Sequence, residues 1–176
     1  MKRNRKETYR LWTFQSVKSV EELEARGILE IDWNRYSDKD PHLRAYQWMA
    51  KVMKRRRILE KENAPIWAWH SCGGHEKKPT KKDAKNLLSD IEIENGIITI
   101  EFECPKKKAL LSNYGIWNDI IHQFIDGKSE SDIEKEVEKA LFKVDSKAIQ
   151  EYESIQATMP YLKKEWIIEM KELRIN

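Results

Sequence analysis

The chain has 176 residues, 40% of them apolar and 36% charged, with six glycines and five prolines. That length suits a single domain spanning 1–176, and the mix is too apolar and aromatic for a disordered chain and too charged for a membrane protein. The net charge of +3 conceals a split, because residues 1–88 carry 21 Lys or Arg against 12 Asp or Glu, whereas the remainder carries 12 against 18.

Residues 1–8 read as a flexible basic start. The basic Met1 to Lys6 lead into Glu7-Thr8-Tyr9-Arg10 and not into the apolar centre of a signal peptide, so a cytoplasmic location is expected. Residues 9–15 alternate large and polar side chains and predict a strand. Ser19-Val20-Glu21-Glu22 has the form of a capping box, opening a short helix that stops at Gly27, and Ile28 to Ile31 predict a second short strand.

Asp40-Pro41 predicts a helix start, and Leu43, Tyr46, Ala50 and Met53 then fall on one apolar stripe of a helix near 41–57. Its basic end, Lys54-Arg55-Arg56-Arg57, supplies the candidate nucleic-acid contacts. The same cations complement the helix dipole, and a basic half can equally be a solvated face attracted to the acidic half.

Residues 65–70 predict a strand and 73–86 a mobile polar loop. Ile91 to Glu94, Asn95-Gly96 and Ile97 to Glu103 carry the residue pattern of a type I′ hairpin over 91–103. Apolar spacing predicts helices near 114–126 and 131–145, the second capped by Ser129 or Ser131, with Ser146 to Tyr152 as a continuation. Ile155 to Thr158 suggest a strand, Pro160 interrupts, and Trp166 to Leu173 fit either a helix or a strand. The fold class that follows is α+β, a mixed or antiparallel sheet with the 91–103 hairpin packed by these helices.

Few residues suggest chemistry. His70, Cys72, His75 and Cys104 can be drawn as a zinc site, but their spacing is not that of a zinc finger, so no metal is expected. Cys72 beside two histidines raises thiol nucleophilicity, although sequence adjacency does not supply the geometry. Cys72-Gly73-Gly74-His75 lacks the spaced glycines and following helix of a phosphate loop. Trp67, Trp69 and His70 offer a stacking platform, worth about 1–3 kcal/mol per stacked base, unless that face belongs to the core.

Leu11-Trp12-Thr13-Phe14-Gln15, Pro65-Ile66-Trp67-Ala68-Trp69, Leu110 to Tyr114 with Trp117, and Ile155-Gln156-Ala157-Thr158 together resemble an uncharacterised bacterial family of small cytoplasmic proteins. The resemblance spans nearly the whole chain and brings no function with it. More distantly, the strand and capped helix ending at Gly27, followed by Ile28-Leu29, and the late Gln156-Ala157-Thr158 are similar to ADP-ribosyltransferase-like proteins. In that likeness Thr13 stands where many of those enzymes have His, and Thr158 where they have Glu. A hydroxyl cannot ionise as a carboxylate does, so the likeness implies a nucleotide-binding pocket with altered chemistry.

These readings converge on a binding module for a nucleotide-like ligand or nucleic acid. The ligand candidates are Thr13, Gln15, Trp67, Trp69, His70, Gln156 and Thr158; the nucleic-acid candidates are Lys54, Arg55, Arg56 and Arg57. The alternatives are an ADP-ribosyltransferase-like enzyme with altered catalytic residues, and a protein-interaction module with its tryptophans in the core. The sequence names no catalytic residue, cofactor or protein partner, and no contact with a membrane is expected.

Overall fold

A six-stranded antiparallel sheet organises the chain in the computed structural model, which describes residues 7–145 and 153–175. Its strands are β1 (Thr8–Ser16), β3 (Ile66–Ser71), β4 (Ile97–Pro105), β5 (Leu110–Asn113), β6 (Ile155–Met159) and β8 (Ile167–Glu172), in the order β5-β6-β3-β1-β4-β8. A two-stranded sheet pairs β2 (Ile28–Leu29) with β7 (Leu162–Lys163). The helices are α1 (Val17–Arg26), α2 (Leu43–Arg55), α3 (Lys81–Leu87), α4 (Asp90–Glu94), α5 (Tyr114–Ile125) and α6 (Lys135–Phe142). The chain is therefore mixed α+β, and no helix among the described residues is long and apolar enough to cross a membrane.

Strand alternation sends successive side chains to opposite faces, and both faces of this sheet are covered. On one face Leu11, Ala68, Ile100, Phe102 and Ala157 pack with Leu23 of α1 and with Leu29 and Leu162 of the small sheet. On the other, Leu110 joins Trp48, Met49 and Met53 of α2, Trp117, Ile120 and Phe124 of α5, and Leu141 of α6. The face a residue joins follows from register: Trp12 lies opposite Trp69, Trp69 opposite Gln156, and Gln156 opposite Ser112.

Helix ends follow local chemistry. Ser16 Oγ accepts from Ser19 N at 3.2 Å, so α1 begins one turn before the expected Ser19 cap, and it ends on Gly27 at φ 73°. Asp40 Oδ1 accepts from the backbone N–H of His42 at 2.9 Å, which shifts the start of α2 two residues beyond the Asp40-Pro41 signal. α6 is shorter than the expected 131–145 helix, because Ser129 and Asp132 first cap a separate 3₁₀ turn at Glu130–Asp132.

Three expectations are corrected. The 91–103 hairpin does not form. Ser89 and Glu92 make a reciprocal capping box that nucleates α4, Asn95 sits at φ −73°, and only Gly96, at φ 91°, adopts the positive angle that a type I′ turn requires at both central residues. Strand β4 pairs instead with β1 and β8. The polar segment 73–86 runs into α3, because Thr80 and Asp83 form a second capping box. At the start, Thr8 already belongs to β1 and the carbonyl of Glu7 accepts from Lys106 N at 2.9 Å; residues 1–6 of the expected flexible start, and the helical continuation over 146–152, lie outside the described residues. The ambiguous end resolves as the edge strand β8, preceded by a 3₁₀ turn at Lys164–Trp166.

Candidate functional site

The site begins where the sheet opens. β1 and β3 are paired at Trp12 and Trp69, and one step further along β1 a side chain replaces the backbone ladder, with Thr13 Oγ1 donating to the carbonyl of Trp67 at 2.7 Å. Thr13 also accepts from Gln15 Nε2 at 2.9 Å. Beside this seam lies a cavity of about 580 Å³ with Trp67, Trp69 and Gln156 on its sheet side. That volume lies within the range of small-molecule sites. Tyr46 of α2, Tyr114, Trp117 and Asn118 of α5, and Leu87, Leu88 and Glu92 of the α3–α4 segment wall it in, and Arg35, Tyr36, Asp40 and His42 complete the lining before α2.

The rings are mutually braced. Trp67 stacks on Trp117 with centroids 5.0 Å apart and planes 25° apart, Tyr46 lies 5.4 Å from Trp67, and Tyr114 meets Trp69 edge-on at 4.8 Å. Offset and edge-to-face contacts of this kind fix ring orientation in addition to burying area.

Two polar atoms of the wall are buried without a hydrogen-bond partner among the described residues: Trp67 Nε1, a donor, and Gln156 Oε1, an acceptor on a side chain only 8% exposed. Trp12 Nε1 and Ser112 Oγ share this condition on the same face of the sheet. Leaving such a group unpaired costs about 1–3 kcal/mol, so native proteins keep few of them, and they cluster where something else completes the bonding.

The cavity leans negative. Asp40, 3.1 Å from His42 Nδ1, and Glu92 share the lining with Arg35, whose guanidinium is already paired with Glu22 and donates to Ser19 Oγ at 3.2 Å. Burial raises the Tyr46 phenol well above its ordinary value, and the neighbouring Tyr36, Asp40 and Glu92 push it further. Burial and Asp40 raise Tyr36 in the same direction, with Arg35 opposing.

The candidate residues divide. Gln15, Trp67, Trp69 and Gln156 meet at the cavity. Thr13 sits behind it, bonded to Trp67, and Thr158 Oγ1 is buried and donates to the carbonyl of Leu110 at 3.4 Å. His70 points to the opposite face, where Tyr9 meets it edge-on at 5.4 Å and its Nδ1 lies 2.9 Å from Ser71 Oγ. Among the described residues no three His, Cys, Asp or Glu side chains gather as metal ligands. Burial pushes the Cys72 thiol up to about 11, helped by Asp83, and Cys104 up to about 12, so neither forms an activated thiolate near neutral pH.

The basic helix end is engaged within the protein. Lys54 pairs with Glu62, Arg55 with Glu138 at 2.7 Å, and the Arg56 guanidinium lies 4.3 Å over the Phe142 ring, while Arg57 is exposed at φ 58°. The contacts of Arg55 and Arg56 draw part of the basic half of the chain onto the acidic half.

Tyr36, Tyr46, Tyr114, Trp117, Asp40 and Glu92 were not evident as site residues. Tyr46 and Trp117 read as apolar stripe positions, which they also are, and the available signal was the polar atom each carries on an otherwise buried face.

No curated protein and no solved structure matches the chain. The family model described as a domain of unknown function, DUF3841, matches residues 10–167. That span runs from β1 into the first residue of β8, so it takes in the seam, the aromatic walls and Gln156 alike, and the chain belongs to the DUF3841 family.

Proposed function

We propose that the protein is a binding module for a nucleotide-like ligand, whose ring enters the aromatic cavity beside the β1–β3 seam. The observation that carries this reading is a ring-lined space of about 580 Å³ whose wall residues Trp67 and Gln156 each keep a buried polar atom, Nε1 and Oε1, without a partner among the described residues. One wall group donates and the other accepts, which matches the mixed hydrogen-bonding edge of a base, and an aromatic face adds stacking. The ADP-ribosyltransferase-like reading draws less support, because the hydroxyls of Thr13 and Thr158 are spent on backbone carbonyls.

Calorimetric titration with purine and pyrimidine nucleosides, their monophosphates and NAD tests the reading, together with the fluorescence of Trp67. At least one ligand should bind, and Trp67→Phe, which keeps the ring and removes the indole donor, should weaken it by about tenfold. Absence of binding across the panel, or equal affinity of the Trp67→Phe variant, would sink the proposal.

A further inference from the structure

The cavity's charges say which part of a nucleotide it takes. We infer that the site selects a flat heteroaromatic ring that is neutral or cationic and bears no phosphate, so that a nucleoside or free base is preferred over its phosphorylated form. The inference rests on the binding reading above and narrows it.

A phosphate site is normally built from a free guanidinium or ammonium, or from open backbone N–H groups at a helix start. This cavity offers no free guanidinium or ammonium. No lysine lines it, and its single arginine, Arg35, is held by Glu22 and Ser19. Two of the helices that reach its walls carry their own oxygen at the first turn. Glu92 accepts from the Ser89 N–H at α4 and Asn113 Oδ1 accepts from Ile116 N at 3.1 Å in α5, while ahead of α2 Asp40 accepts from the His42 N–H.

Two of those oxygens belong to carboxylates that line the cavity, Asp40 and Glu92. Their field is felt locally, because both raise the Tyr46 phenol. The same field repels a phosphate brought against it and favours a ring that carries a proton, and the faces of Trp67 and Tyr46 attract a cation by their quadrupoles. The rings and the unpartnered indole and amide therefore serve the base, and the one histidine of the lining, His42, is already engaged by Asp40 at 3.1 Å and stacked on Tyr46.

The test compares matched pairs. Adenosine, guanosine, cytidine and uridine are titrated by calorimetry beside their 5′-monophosphates, first at low and then at high ionic strength, with the parent protein and with the Asp40→Asn and Glu92→Gln variants. Both substitutions keep an accepting oxygen, for the His42 N–H and for the Ser89 cap respectively, and circular dichroism reports whether the fold is retained. The nucleoside that binds should do so at least about tenfold more tightly than its monophosphate at low salt, with the gap narrowing in the variants and as salt rises. A monophosphate that binds as tightly as its nucleoside, or a gap unmoved by either variant, overturns this inference while the binding reading stands. Absence of binding by every nucleoside and monophosphate overturns both.

Discussion

At the scale of single residues, the cavity and the far face of the sheet treat polar groups in opposite ways. Trp67 and Gln156 line the cavity and keep buried polar atoms unpaired, whereas Thr13, one strand away, is bonded to Trp67 and Gln15. His70 belongs to the second kind. It is 3% exposed, and burial lowers its pKa from the ordinary 6.5, with His75 and Lys106 adding to the drop and Glu76 opposing it. The unfolded chain therefore binds a proton that the folded chain resists. The contribution of His70 is fully present above about pH 6.5 and is lost progressively as the pH falls below that value toward the depressed folded pKa. Thermal unfolding followed from neutral to mildly acid pH should show a loss of stability that is smaller in His70→Asn, because the substituted side chain does not titrate. Identical pH profiles would mean that His70 is free to protonate in the fold. Against the opposing effect of burial, hydrogen bonds from Thr80 hold Asp83 below its ordinary 3.8, so it acts at lower pH than this window.

At the scale of elements, Asn95-Gly96 shows how one dipeptide serves two structures. Positive φ at both residues makes a type I′ turn, and positive φ at the glycine alone closes a helix. The deciding signal lay upstream in Ser89 and Glu92, whose capping box outweighs the Ile91-Glu92-Ile93-Glu94 alternation. The two readings differ measurably. In a hairpin Ile91 would share an apolar face with Ile93, but in α4 it is 69% exposed. Ile91→Ser should thus leave stability within about 0.5 kcal/mol of the parent. Gly96→Ala should cost about 1 kcal/mol or more, because φ is 91° and the added Cβ would lie 3.0 Å from Val17 Cγ2. Urea unfolding of both variants checks the pair, and a large loss in Ile91→Ser would reinstate a buried face there. Strands β1, β3 and β6 and helices α2 and α5 were legible because one apolar periodicity dominates each, whereas α3 and α4 are short and rest on caps more than on periodicity.

At the scale of the whole molecule, the candidate site was half legible, and topology explains the division. Gln15, Trp67, Trp69 and Gln156 stand on strands whose alternation can be read locally. Tyr36, Asp40 and Glu92 arrive from segments that approach the sheet only because its order is β5-β6-β3-β1-β4-β8 and the seam falls between β3 and β1. That order rests on pairings between residues far apart in the chain, which local periodicity cannot specify. The same topology ties the core to the cavity through a run of rings in which Trp117 stands between Trp48, stacked at 6.3 Å, and Trp67, stacked at 5.0 Å. Trp117 is 2% exposed, so truncating it removes a large buried volume and also the support behind Trp67. Trp117→Ala should lower unfolding stability by about 3–5 kcal/mol. Near-ultraviolet circular dichroism should lose the signal of the coupled indoles even under conditions where far-ultraviolet dichroism still reports a folded chain. A cost below about 1 kcal/mol with the aromatic signal intact would show that Trp67 is held by the sheet alone, and that the cavity wall stands independently of the helical core behind it.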